Sequence, residues 1–126
     1  MGLFNFNKRN KNISNSKLSL PEDYINLIES LCKKTYALAY VEHPKLDDLD
    51  FSCFIPVDKS IKRNAYYIYE EIIKNSNLFP FAENDFGDFY CFDLVNNHIV
   101  LWYHETKKTV NICNSFTEFL NMIKTY

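Results

Sequence analysis

The chain has 126 residues, one domain by length, with 47% hydrophobic and 24% charged residues and a formal net charge of −2; that balance excludes a disordered chain, a collagen and a disulfide-built miniprotein. Eleven Phe, nine Tyr and one Trp stand against two Gly, enough aromatic surface for a large core and too little glycine for a dinucleotide-binding turn or a P-loop. The charge is uneven: Lys8, Arg9, Lys11 and Lys17 make residues 1–17 basic and acid-free, leaving ten basic against 16 acidic residues in the rest.

The Asn-, Ser- and Lys-rich start offers only Leu3, Phe4, Phe6 and Ile13 to bury. Residues 1–18 therefore read as a flexible basic tail and residues 19–126 as a single folded domain. The first helix is expected from Ser19, because Ser19-Leu20-Pro21-Glu22 has the form of a capping box. Leu20, Tyr24, Leu27, Ile28 and Leu31 follow at helical spacing, through about Lys33. Thr35–Glu42 reads as a strand, His43-Pro44 ends it, and residues 45–50 form a loop carrying Asp47, Asp48 and Asp50. Phe51–Val57 alternates like a second strand, restricted by Pro56 to an edge or an end. Asp58 or Ser60 is the expected cap of a second helix, with Ile61, Ala65, Ile68, Tyr69, Ile72 and Ile73 on its inner face and Asn75-Ser76-Asn77 as its stop.

The second half reads as sheet. Leu78–Ala82 is extended, and Glu83–Asp88 is a turn in which Gly87 supplies a positive φ. Phe89–Leu94 and Ile99–His104 form a hairpin around Asn96-Asn97, and Thr109–Cys113 is a further strand. A second capping box, Ser115-Phe116-Thr117-Glu118, opens a last helix with Phe116, Phe119, Leu120 and Ile123 inward. Strands in consecutive runs favour an α+β fold, a mostly antiparallel sheet of about five to six strands with three helices packed around it.

Candidate chemistry is sparse. Cys32, Cys53, Cys91 and Cys113 are widely spaced and sit among apolar neighbours. They read as buried free thiols in a reducing cytoplasm and not as metal ligands. His43, His98 and His104 match no zinc motif, and no apolar run has the length of a signal peptide or a membrane span. No cofactor, metal or catalytic residue is expected. The acids Glu83, Asp85, Asp88 and Asp93 are the best candidates for paired-carboxylate chemistry, but capping and surface charge explain them more simply. Nucleic acid is not an expected partner, because the folded body is acidic and its aromatics sit in acidic or neutral strands.

Four stretches stand out together: the Leu20-Pro21-Glu22-Asp23-Tyr24 helix start, the block from Phe79-Pro80-Phe81-Ala82 through Asp85-Phe86-Gly87-Asp88 to Phe92-Asp93-Leu94, the stretch Ile99–Glu105 with Trp102 and His104, and Ser115-Phe116-Thr117-Glu118-Phe119-Leu120. In that order they resemble the SUKH superfamily, the Smi/Knr-like domains named partly for yeast cell-wall regulators. The likeness spans about residues 19–124. It departs at Leu31-Cys32-Lys33-Lys34, which lacks the Asn-Gly pair common in the family, and residues 35–58 match no family element. The resemblance implies a domain without catalytic activity, of the bacterial type that acts as an immunity protein against a cognate toxin, a nuclease or a deaminase. A regulatory scaffold or adaptor of the yeast type is the alternative, and a small enzyme using the acidic cluster is a third reading. On the first reading an acidic body suits a basic toxin. Charge and expected exposure select Asp47, Asp48, Asp50, Glu83 and Asp85 as partner-binding residues, with Gly87 and Asp88 as structural turn residues.

Overall fold

The first helix begins where Pro21 sets an extended backbone and its carbonyl accepts from the Ile25 amide. The computed structural model describes residues 18–126, so the expected tail lies outside the described residues except for Leu18. Helix α1 (Glu22–Leu31) has Pro21 as its N-cap and no side-chain cap. The capping box expected at Ser19 is not formed; Asp23 instead accepts from the Tyr24 amide and from the Thr117 hydroxyl. Tyr24, Ile28 and Leu31 point into the core, while Leu27 of the expected stripe is 40% exposed.

The next region departs most from expectation. Leu38 adopts a positive φ of 56°, which cuts the expected strand to β1 (Ala39–Val41). The expected strand 51–57 is two short ones, β2 (Asp50–Phe51) and β3 (Cys53–Phe54), which belong to different sheets. Between them the Ser52 amide already donates to the Glu83 carbonyl, so the switch takes a single residue. Pro56 ends the extended run, and its carbonyl accepts from the Ala65 amide. Helix α2 (Ala65–Tyr67) is capped by Asn64, whose side chain accepts from the Tyr67 amide. Asp58 and Ser60 instead hydrogen-bond each other in the preceding turn, which leaves Ile61 43% exposed. The helix runs on as a π-helical segment, Ile68–Ile73, ending at Lys74 in a left-handed conformation.

The second half follows its pattern. β4 (Leu78–Glu83), β5 (Phe89–Asp93), β6 (His98–Trp102) and β7 (Thr109–Cys113) form an antiparallel meander that β3 extends to five strands, in the order β3-β4-β5-β6-β7. Helix α3 (Phe116–Met122) is capped by Ser115, which accepts from the Glu118 amide, while the Glu118 carboxylate reaches back to the Asn114 amide. The chain then forms an unforeseen strand, β8 (Ile123–Thr125), which pairs with β1 and completes a three-stranded sheet, β2-β1-β8. The described residues form an α+β fold, with three helices and two antiparallel sheets.

Rings fill the core where α1 and α3 meet the meander. Tyr24 packs edge-on against Phe92 and Phe116 at centroid distances of 5.0 and 5.4 Å, and Phe81 lies 4.6 Å from Phe92 and 5.1 Å from Phe119. Each fully buried ring contributes roughly 1.5–3 kcal/mol relative to exposure. The aromatic excess is therefore mainly a structural asset. Tyr66 and Tyr69, from α2 and the π segment, add a second layer against Phe79.

Candidate functional site: an acidic face around a fixed turn

The β4–β5 turn is built by its own short polar side chains. Asn84 Oδ1 accepts from the amides of Phe86 and Asp88, while the Asn84 amide donates to the Asp88 carbonyl. Gly87 follows with φ +89°, a conformation that L side chains rarely adopt. A Cβ there would lie 3.5 Å from the His104 ring, an ordinary contact, so conformation and not space requires glycine. The positive φ expected at Gly87 is thus present.

Asp88 locks this turn to the end of β6. Its Oδ1 accepts from the His104 amide at 3.0 Å and lies 2.7 Å from the ring Nδ1, while Oδ2 accepts from the Asn84 side chain at 3.2 Å. Burial alone would raise the Asp88 pKa. The hydrogen bonds from the His104 backbone and ring and from Asn84 outweigh burial and hold the carboxyl below the usual carboxylate range. Sequence reasoning singled out Asp88 in this turn and missed its two partners, Asn84 and His104. An Asn two residues before an amide it can cap was the available signal for Asn84. Nothing local could reveal His104, which lies 16 residues away.

The structure joins the two acidic loops that the sequence kept apart. Asp50 Oδ2 accepts from the Asp85 amide at 2.8 Å, and the Asp50 carbonyl accepts from the Tyr90 hydroxyl at 2.7 Å. Burial, reinforced by the neighbouring Asp50 charge, pushes the Tyr90 phenol far up. Asp47 and Asp48 are exposed beside the buried Leu49, whose carbonyl accepts from the Val41 amide and pins the loop. His43 shapes the other side of this loop by accepting from the amides of Lys45 and Leu46. Asp47, Asp48 and Asp85 are exposed acids, whereas Asp50 is half-buried and engaged with the turn. Glu83 stands apart: it is half-buried and pairs with Arg63 at 2.7 Å, so its charge is locally neutralised. Phe86 is 69% exposed at the tip of the fixed turn.

The same surroundings limit what chemistry the side chains can offer. Burial pushes the Cys32 thiol up to about 11 and the Cys113 thiol up to about 12, and it raises Cys53 and Cys91 as well. Thiols held that high are poor nucleophiles at neutral pH. Cys91, one half of a conceivable dyad with His104, is fully buried and donates to the Phe89 carbonyl. Among the described residues no three His, Cys, Asp or Glu side chains gather as a metal site, and no helix is long and apolar enough to cross a membrane. A half-open groove of about 670 Å³ lies between the end of α1 and residues 54–61, lined by Ile28, Cys32, Phe54 and Val57.

Such a chain is a small α+β domain, an antiparallel meander with a separate three-stranded sheet and a fixed acidic turn at one end. It belongs to the SMI1/KNR4 family (SUKH-1), whose family model matches residues 14–122. The resemblance read from the residue blocks is therefore correct. No curated protein and no solved structure matches the chain.

Proposed function

We propose that this protein is a non-enzymatic binding domain that works in the cytoplasm as an immunity protein, occupying and neutralising a cognate toxin with a basic cleft. Nuclease and deaminase toxins have such clefts because their substrates are polyanions. Nucleic acid itself is not the partner. Membership of the family supports a protein-binding role. One observation supports the choice of surface: the Asp85 amide donates to the Asp50 carboxylate, which brings the loop carrying Asp47 and Asp48 beside the turn carrying Asp85 and the exposed ring of Phe86.

The physics of the face suits this role. Hydrogen bonds from the Phe86 and Asp88 amides to Asn84 Oδ1 and from the Asp85 amide to the Asp50 carboxylate fix the turn, so little conformational entropy is lost when a partner meets it. An aromatic anchor within a charged rim is a frequent arrangement of binding energy in interfaces. Complementary charge speeds encounter and disfavours acidic competitors. Asp47, Asp48 and Asp85 are the principal charges, Asp50 mainly positions the turn, and Glu83 contributes little because Arg63 neutralises it.

Co-expression with the toxin encoded beside this gene tests the reading. Growth rescue and a stable complex are expected, and the Asp47→Lys, Asp48→Lys, Asp85→Lys triple variant should weaken that complex at least about tenfold through lost charge attraction. A toxin that neither binds nor is neutralised would sink the immunity reading. Pull-downs returning only housekeeping proteins would then favour the regulatory scaffold.

A further inference from the structure

The five-stranded sheet ends on β7, which pairs on one side only, with β6. Facing residues of an antiparallel pair alternate between bonded and non-bonded positions. The Tyr103 amide donates to the Lys108 carbonyl, and this bond fixes the phase. Trp102 and Thr109 face each other without bonding, Leu101 and Val110 bond, and Val100 and Asn111 again do not. The amides and carbonyls of Thr109 and Asn111 therefore point away from β6. No loop or side chain bonds them among the described residues, and both side chains are exposed.

The other strand edges are blunted. β2 and β3 have two residues each, β8 has three, and Pro56 follows β3 closely. β7 has five residues, Thr-Val-Asn-Ile-Cys, with neither a proline nor a charge among them. An edge of that kind is a template for another strand.

The charges at its two ends choose the strand. Lys107 and Lys108 are exposed immediately before β7. Just after it the exposed Glu118 carboxylate accepts from the Asn114 amide at 2.9 Å. The edge is thus basic where it starts and acidic where it stops. A second copy of the same edge, run antiparallel, sets each basic end towards the acidic end of the other. A parallel copy would set like charges together. The spacing of the free groups is self-complementary as well. Thr109 and Asn111 flank Val110, so Thr109 of each copy can exchange both amide–carbonyl bonds with Asn111 of the other. The two Val110 side chains then face each other on the two-fold axis. Val110 is half-buried against the core, and pairing covers its open side. A β-branched pair in direct opposition stabilises a sheet.

We propose that β7 is a homodimer edge, at which two copies of this chain pair antiparallel about Val110 and join their meanders into one continuous sheet. The contact is isologous and closes on itself, so it yields a dimer and not a fibre. It is also short, which makes the dimer weak and reversible. The β4–β5 turn is separated from β7 by β6 and stays outside the contact on each copy. The inference is independent of what the acidic face binds.

Sedimentation equilibrium of the full chain from about 10 µM to about 1 mM tests it. A reversible monomer–dimer equilibrium is expected, half dimeric near about 100 µM. The double variant Thr109→Lys, Asn111→Lys changes only exposed side chains, so its circular dichroism and melting should match wild type. It sets lysine opposite lysine in both bonded pairs and should weaken the dimer at least about tenfold. Mixing it with Thr109→Glu, Asn111→Glu should restore a dimer made of one copy of each. A chain that stays monomeric up to 1 mM would overturn the proposal and leave the edge to a strand of another protein. A dimer that the lysine variant leaves intact would also overturn it, by placing the contact elsewhere. Loss of the dimer without recovery in the mixture would refute the pairing of Thr109 with Asn111.

Discussion

Residues 78–113 and residues 35–77 are similar in length and differ in how they are held. In the later region four strands of five or six residues pair with their neighbours along the chain, with register shifts at Pro80/Ala82 and at Ile99/Val100. In the earlier region strands are only two or three residues long; β1 and β2 pair locally, Ala39 with Phe51, but each sheet is completed through a distant partner, Ala39 with Thr125 and Cys53 with Glu83. Local pairing loses little entropy on loop closure, whereas distant pairing waits until both partners are already placed. The meander is therefore a platform on which the early strands and β8 assemble. The acidic face lies at their junction, with Asp85 from the platform and Asp50 from the assembled part.

Core truncation should separate the two regions most strongly. Phe81→Ala removes a fully buried ring packed on Phe92, Phe116 and Phe119. It should cost about 3–5 kcal/mol in urea unfolding. Tyr36→Ala, in the early region, removes a half-buried ring against Phe51 and Phe54 and should cost about 1–2 kcal/mol. Equal losses would mean that the early strands are as central to stability as the meander.

The same division explains what the sequence made legible. Apolar and aromatic runs bounded by turn residues gave β5, β6 and β7 to within two residues, because each run is of strand length and its ends are marked by turn residues such as Asn96-Asn97. The capping residues Ser115 and Glu118 announced α3. A two-residue strand has no period, so β2 and β3 merged into one, and nothing local marks the sheet switch at Ser52. β8 was hidden because Ile123 continues the helical spacing of Phe116 and Phe119 while its backbone pairs with Val41. Of the candidate site, the acids were legible as charges. Their juxtaposition and the pairing of Glu83 with Arg63 were not, since both depend on contacts at least 20 residues apart in the chain.

The β4–β5 turn gives two further tests of the platform. Gly87→Ala should cost about 1–2 kcal/mol, nearly all from the positive φ, because the added methyl has room beside His104. A loss within a few tenths would show that the turn relaxes at no cost. Asp88→Asn should cost about 1.5 kcal/mol at neutral pH by weakening charge-assisted hydrogen bonds. The Asp88 pKa is lowered in the folded state, so its charge stabilises fully above the unfolded value of about 3.9. That contribution disappears as pH falls through the folded value. Urea midpoints from pH 7 to pH 2 should therefore show wild type and variant converging at the acid end. A constant gap would assign the effect to shape and not to charge.

The smallest effect gives the sharpest comparison, because two Ser-x-x-Glu sequences look alike and only one works as a cap. Ser115 has an extended backbone and accepts from the Glu118 amide at 3.1 Å, so Ser115→Ala should cost about 1 kcal/mol. Ser19 lies two residues before the true N-cap, Pro21, and no side chain caps that helix. Pro21 explains the difference: it has no amide to be capped, and its fixed φ already sets the entry to the helix. Ser19→Ala should therefore change stability by less than about 0.3 kcal/mol, since its fixed contact is through its carbonyl, which alanine retains. A cost near that of Ser115→Ala would mean that the helix starts at Ser19 in solution, as the bare sequence pattern suggests.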